Sequence, residues 1–454
     1  MMNTPICEFV RRYAESRLAR LHMPGHKGIP LLGPESLDIT EIDGADSLYE
    51  AEGIIRESEA NASTLFGAHT FYSTEGSSLC IRAMLYLALL CRGERSPRIA
   101  AGRNAHKTFL HAVALLDLEV DWLLPKEGSS YLSCALRGVD VEAYLSSVEE
   151  KPMAIYITSP DYLGNTVNVA EISTVCHKHG VLLLVDNAHG AYLKFLPTSR
   201  HPMDLGADLC CDSAHKTLPA LTGAAYLHIS HAAPAAFWEN AKQALALFGS
   251  TSPSYLILQS LDAVNHYLAN GYAEKLALFL PRMSSLKARL TQGGYALSGD
   301  EPLKLTVCPK SYGYTGQELA SILAEGGLIC EFSDPDATVM MLTPELSEEI
   351  LTKVENMLLS LPKRKPISER PPLLVEPLRA CSARQAALAP RRMLSAKESV
   401  GHILAMPTVG CPPAVPIVVC GERITEEALR CFTYYGISAC AVVDCEEEKV
   451  CTDV

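Results

Sequence analysis

Three short stretches of the chain pair reactive side chains with apolar runs that end just before them. In "DSAHK" (212–216), Ser213, His215 and Lys216 follow "ADLCC" (207–211), and no other charge appears up to Gly223. Burying an ammonium is costly or shifts its pKa down. A lysine made nucleophilic in this way is suited to forming a Schiff base. In "DNAHG" (186–190), Asp186 ends the run "VLLLV", with Ala188 and His189 behind it. A carboxylate there is costly unless a cation meets it. In "TEGSS" (74–78), Gly76, Ser77 and Ser78 open a helix after "HTFYS", and a helix N-terminus with hydroxyls suits a phosphate. A capping serine pair explains the same residues.

Asp186 and Lys216 stand thirty residues apart, the length of one strand-connection-strand unit, so both are expected in one crevice. A nucleophilic lysine, a carboxylate for a pyridinium nitrogen and a phosphate site are what pyridoxal phosphate requires. Taken singly, Lys216 reads as a loop lysine and Asp186 as a cap. Their joint order, each at a strand end, is what points to the cofactor. A fourth strand end, "RIAAG" (98–102), is followed by "RNAHKT", which starts a helix at His106.

The elements that must position these groups follow from hydropathy. Strands are expected at 69–73, 98–102, 120–125, 153–159, 181–188, 207–211 and 224–229, with helices such as 78–91 and 169–179 between them. Near-continuous apolar strands alternating with helices imply an α/β fold, a mainly parallel sheet with helices on both faces. Ligands of such sheets bind beyond the carboxyl ends of the strands. Helical patterns fill 233–292, a strand and helix mixture starts at 302–309, and "KRKPISERPP" (363–372) reads as a linker. A last small α/β stretch has a helix at 425–435 and a strand in "ISACAVVD". The expected domains are an N-terminal segment 1–50, a large cofactor-binding domain 51–275, a small α/β domain 276–362 and a C-terminal domain 363–454.

Composition narrows the function class. The chain has 454 residues, 48% of them hydrophobic and 20% charged, an ordinary globular balance. A net charge of −13 gives no basic footprint, so a small-molecule substrate is expected, with neither nucleic acid nor a membrane as partner. No signal-peptide h-region and no apolar run long enough to span a bilayer stand out, so a cytoplasmic protein is expected. The 16 cysteines include no C-x-x-C pair and read as reduced, mostly buried thiols. "CHKHG" (176–180) reads as a polar helix end, and no metal is expected.

Eight segments together carry a family likeness: "LHMPGHKG" (21–28), "DITEIDGADSLYEAEGII" (38–55), "RNAHKTFLHA" (103–112), "DNAHGAYLKF" (186–195), "DSAHKTLPALT" (212–222), "STSPSYLILQSLD" (250–262), "EFSDPDATVMMLTPE" (331–345) and "CPPAVPIVVCGERI" (411–424). The chain thereby resembles the short bacterial form of the ornithine, lysine and arginine decarboxylases, pyridoxal-phosphate enzymes of the aspartate aminotransferase fold (fold type I). The resemblance implies that Lys216 is the Schiff-base lysine and Asp186 the partner of the pyridine nitrogen. It also implies that His106 stacks on one ring face and Ala188 packs on the other. Ser77, Ser78, Ser213 and His215 would bind the phosphate, and Thr251 would reach a neighbouring subunit's phosphate in a homodimer or higher oligomer. Three positions depart from what is frequent in the family: Glu75 where Asn precedes the glycine, Gly223 where Gln is common, and Ala51 where Pro is common.

The reaction so implied is decarboxylation of lysine, ornithine or arginine to an amine, with Lys216 or His106 as proton donor. Transamination, elimination or desulfuration on the same fold, or a non-catalytic cofactor-binding paralogue, are the rival readings. A dibasic substrate needs an acid for its distal cation. The candidates are Glu41, Asp43, Asp46, Glu50, Glu52, Glu331 and Asp334.

Overall fold

The computed structural model describes residues 2–93, 95–125, 130–373, 378–407 and 412–444. By internal contacts the chain divides into two compact units, Met1–Glu94 with Val169–Ala277 and Arg95–Asn168 with Leu278–Val454. In chain order the strands are β1 (His69–Ser73), β2 (Arg98–Gly102), β3 (Glu119–Leu123), β4 (Ala154–Thr158), β5 (Leu182–Asp186), β6 (Leu209–Asp212), β7 (Ala225–Ile229), β8 (Ala296–Ser298), β9 (Lys304–Cys308), β10 (Phe332–Ser333), β11 (Thr338–Met341), β12 (Leu378–Arg379), β13 (Arg391–Ser395), β14 (Glu422–Arg423) and β15 (Ala439–Val443). All seven strands expected before residue 230 are present, with ends moved by one or two residues at most of them.

In the first unit the strands lie in the order β1-β7-β6-β5. β5 and β6 are parallel, and β7 runs antiparallel to both β6 and β1. β6 and β7 are buried along their whole length, as strands covered on both faces must be. Helix Gly76–Leu90 packs on β6 and β7 and buries Leu79, Ile81, Met84, Leu85 and Leu87 around most of its circumference. The connection from β5 to β6 contains no α-helix, only the 3₁₀ turns Ala191–Phe195 and Pro202–Leu205. Helix Ile54–Phe66 is started by the Asp46 carboxylate, which accepts the N–H groups of Gly53, Ile55 and Arg56 at 2.8, 3.0 and 3.3 Å.

In the second unit β4, β2 and β3 are parallel neighbours in that order. A separate antiparallel sheet runs β10-β11-β9-β8, and two-stranded pairs join β12 to β14 and β13 to β15. Helix Gly316–Glu325 begins with a capping box between Thr315 and Glu318, and helix Glu426–Tyr434 with Thr425. The stretch 363–372 forms no regular element, as its prolines and charges lead one to expect.

All thirteen described cysteines are free, and burial pushes the thiols of Cys176 and Cys420 up to about 12. Cys411, Cys445 and Cys451 lie outside the described residues. In "CHKHG", His177 lies in the last turn of helix Val169–Lys178 and pairs with Asp208 at 3.0 Å.

Candidate functional site

The turn after β1 is closed by two glycines. Gly76, at φ +71°, donates its N–H to the Gly223 carbonyl at 2.8 Å. Gly223 itself has φ +98°, and a Cβ there would lie 2.9 Å from the Thr74 carbonyl oxygen and 3.0 Å from Ile257 Cδ1. A glutamine at this position would meet both a left-handed backbone and a steric wall, which accounts for the glycine. Around Gly76 nothing approaches within 4 Å of where a Cβ would stand, so the helix start opens onto free space. Ser213 Oγ donates to Ser77 Oγ at 2.8 Å, which brings hydroxyls from two different strand ends to one place. Ser78 follows in the first turn of the same helix.

Glu75 turns its charge elsewhere, since its Oε1 accepts the Ser250 N–H at 2.6 Å. This bond ties the Glu75 side chain to the loop that carries Thr251, which is exposed. Ala51 lies between helix-starting Asp46 and helix Ile54–Phe66, in a segment without regular structure.

Asp186 ends β5, and Lys216 follows the end of its parallel neighbour β6. Asp186 pairs in register with Cys211, is 2% exposed, and accepts the Ala188 N–H at 3.2 Å and the Cys211 S–H at 3.6 Å on Oδ1. Ser213 directly precedes a four-residue helix, Ala214–Thr217, which carries Lys216. Lys216 Nζ lies 3.2 Å from His189 Nε2. The next side chain, Thr217, has a buried hydroxyl with no hydrogen-bond partner among the described residues. His215 has Nδ1 3.0 Å from the Ala224 carbonyl, so that ring nitrogen carries a proton.

The first unit therefore brings together Gly76, Ser77, Ser78, Asp186, Ala188, His189, Ser213, His215 and Lys216 at the ends of β1, β5 and β6. His106 belongs to the second unit, where its Nδ1 caps helix Lys107–Leu116 by accepting the Thr108 N–H at 3.2 Å. The donor set fits pyridoxal phosphate: a helix start and two hydroxyls for the phosphate, a carboxylate for the ring nitrogen and an amine for the aldehyde carbon.

Sequence reasoning missed the groups behind this constellation. Asp212, the last residue of β6, is fully buried and accepts bonds from Asn187, His201 and His228. Burial opposes its charge, but the two imidazoles outweigh burial and hold it below the usual carboxylate range. The available signal was a histidine, His228, inside an otherwise apolar strand. His201, Cys210 and Asp212 are near enough to share an ion, yet Asp212 already hydrogen-bonds to the other two.

The acids proposed for a substrate cation separate clearly. Asp46 is spent on backbone N–H groups, and Asp334 accepts the N–H groups of Asp336 and Ala337 at 2.7 Å each. Glu331 is exposed and takes a hydrogen bond from the Tyr162 hydroxyl at 2.8 Å. Glu41, Asp43, Glu50 and Glu52 are exposed.

The family model described as Orn/Lys/Arg decarboxylase, major domain, matches residues 4–292. An uncharacterized Bacillus subtilis protein, YaaO, is 30% identical over 94% of this chain and 93% of its own length. An arginine decarboxylase of Halalkalibacterium halodurans is 29% identical over 94% of this chain and 92% of its own. The crystal structure of Francisella novicida lysine decarboxylase LdcF superposes with a TM-score of 0.77 at 16% identity, covering 98% of this chain and 81% of that one, which shows a shared fold. The chain belongs to the Orn/Lys/Arg decarboxylase family and is a pyridoxal-phosphate-dependent amino-acid decarboxylase of fold type I.

Proposed function

We propose that the substrate is lysine, ornithine or arginine, with arginine first to assay, and that the residues gathered in the first unit are the catalytic site. The observation that supports this best is Lys216 Nζ beside His189, with Asp186 ending the neighbouring strand. When bound, pyridoxal phosphate supplies the electron sink into which the carboxyl bond's electrons pass. Lys216 holds the cofactor and takes up or returns a proton at Nζ, and His189 steadies that amine. Asp186 keeps a proton on the ring nitrogen. Ser77, Ser78, Ser213 and His215, with the helix start at Gly76, hold the phosphate. Ala188 would pack against the cofactor ring, and Thr251 would serve a partner subunit's phosphate. Arginine comes first because relatives 29% identical over nearly the whole chain bear that name.

The active form is proposed to be a cytoplasmic homodimer. Leu21, Leu31 and Leu32 of the N-terminal segment are each more than four-fifths exposed, apolar area that a second copy would cover. No helix among the described residues is long and apolar enough to cross a membrane. Sedimentation of the cofactor-loaded protein as a monomer would count against the dimer. For the reaction, carbon dioxide and amine are measured with arginine, lysine and ornithine against a panel of neutral and acidic amino acids. Release from a dibasic amino acid is expected. Turnover of neutral amino acids alone, or keto acid without carbon dioxide, overturns the substrate assignment.

A further inference from the structure

Asp212 is a fully buried charge, and nothing in the reaction above uses it. Its Oδ1 accepts the Asn187 Nδ2–H at 2.6 Å, and its Oδ2 accepts the Nε2–H of His201 at 2.9 Å and of His228 at 3.1 Å. Asp212, Asn187, His201 and His228 are all 0% exposed. His201 Nδ1 accepts the Met203 N–H at 3.4 Å, so its proton sits on Nε2, toward Asp212. His228 Nδ1 lies 2.9 Å from Thr70 Oγ1, which extends the chain of bonds to β1.

Asn187 is held by its backbone and its side-chain N–H group, while its buried Oδ1 has no hydrogen-bond partner among the described residues. Its N–H bonds the Cys211 carbonyl at 3.0 Å, and its carbonyl takes the Gly190 N–H at 2.7 Å. A Cβ on Gly190 would stand 2.0 Å from Asn187 Oδ1, so only glycine leaves room for this side-chain position. Asn187 follows Asp186 directly, and Asp212 directly precedes Ser213. Their hydrogen bond is thus one residue from a site group on each side. Stability alone is a weak reason for a buried charge, because apolar residues of similar volume often stabilise as well. Apolar packing cannot fix the separation of two turns as a short charge-assisted bond does.

We propose that Asp212 is a positioning residue for cofactor attachment: through Asn187 it keeps the turn carrying Asp186, Ala188 and His189 in place against the turn carrying Ser213 and Lys216. This rests on the reading of Asp186 and Lys216 as the cofactor-holding pair.

The test titrates pyridoxal phosphate into the apoprotein and records Kd and the visible absorption of the bound form. Wild type is compared with Asn187→Ala, Asp212→Asn, their double variant, and Ser58→Ala. Ser58→Ala removes equally buried bonds, from Ser58 Oγ to Asp262 at 2.6 Å and with the Tyr72 hydroxyl at 2.7 Å, neither of them to a residue of the site. Asn187→Ala and Asp212→Asn are each expected to raise Kd about tenfold or more, with the double variant no worse than Asp212→Asn. Ser58→Ala is expected to stay within about twofold while lowering the thermal midpoint by a similar amount. Wild-type Kd and absorption in Asn187→Ala, or losses that simply multiply in the double variant, overturn the proposal. If Asp212→Asn does not fold, Asn187→Ala against Ser58→Ala decides alone. Wild-type apoprotein that takes up no cofactor overturns the parent reading as well, whereas normal uptake with an unaffected Asn187→Ala overturns only this one.

Discussion

Buried charge is arranged differently in the two units. In the first, Asp186 and Asp212 end adjacent strands, and Asp212 is bonded by Asn187, His201 and His228. In the second, Arg103 and Glu422 meet at 2.7 Å, 7% and 4% exposed, with the guanidinium also 4.9 Å from the Trp122 ring centroid. Lys304 donates to the Asp161 carbonyl at 3.1 Å, and Lys310 pairs with Asp336 at 2.7 Å. The Arg103–Glu422 and Lys304–Asp161 contacts join segments more than a hundred residues apart in the chain. Burial of an ionisable group therefore says little about function by itself. What marks the first unit is convergence at the carboxyl ends of parallel strands.

Removing the reactive groups tests that contrast most severely. Lys216→Ala is expected to lower turnover about a thousandfold or more while the protein still folds. Borohydride reduction and peptide mass analysis should find the cofactor attached to Lys216 in wild type and nowhere in the variant. Asp186→Asn is expected to cost about a hundredfold in turnover, since the amide no longer favours a protonated ring nitrogen. Attachment of the cofactor elsewhere would remove the functional side of the comparison.

The second unit answers in stability instead. Glu422→Leu leaves the Arg103 charge buried without its carboxylate and is expected to cost about 3–5 kcal/mol in chemical denaturation. Arg103→Met with Glu422→Leu should recover most of that loss. Unchanged stability in the single variant would show that this pair is not holding the segments together.

Smaller effects sharpen the picture. Gly223→Gln restores the residue frequent in the family and is expected to destabilise by about 1–3 kcal/mol, through its left-handed φ and the Thr74 carbonyl. Improved stability or tighter cofactor binding would contradict the steric account.

Asp334 gives a pH signature in the second unit. Burial pushes its carboxyl up to about 6, against the N–H groups of Asp336 and Ala337 that favour the charge. A carboxyl raised on folding is better tolerated protonated, so its cost is absent below about pH 4 and grows as pH rises through about 6, to at most about 3 kcal/mol. Asp334→Asn keeps an acceptor for both N–H groups and should flatten the fall in stability between pH 4 and 7. An unchanged slope would assign that fall to other groups.

Much of the candidate site could be read from the chain. Lys216, Asp186 and the Gly76–Ser78 turn were legible because Asp186 directly follows an apolar run and the other two stand within five residues of one, and strand ends are set by local hydropathy. The seven strands before residue 230 were legible for the same reason. The β5 to β6 connection was not, since short 3₁₀ turns leave no periodic pattern. His106 was expected at a helix start, and it caps that helix.

The sequence by itself determined which reactive residues stand at strand ends, because the local alternation of apolar strands with helices dictates those positions. Only the tertiary structure decided where the side chains turn. It directs Glu75 to the Ser250 N–H, closes Gly223 against Thr74, places Cys211 beside Asp186, and surrounds Asp212 with Asn187, His201 and His228. The physical reason is that a buried polar group must find its hydrogen-bond partners wherever packing puts them, and those partners lie on segments that only folding brings into contact.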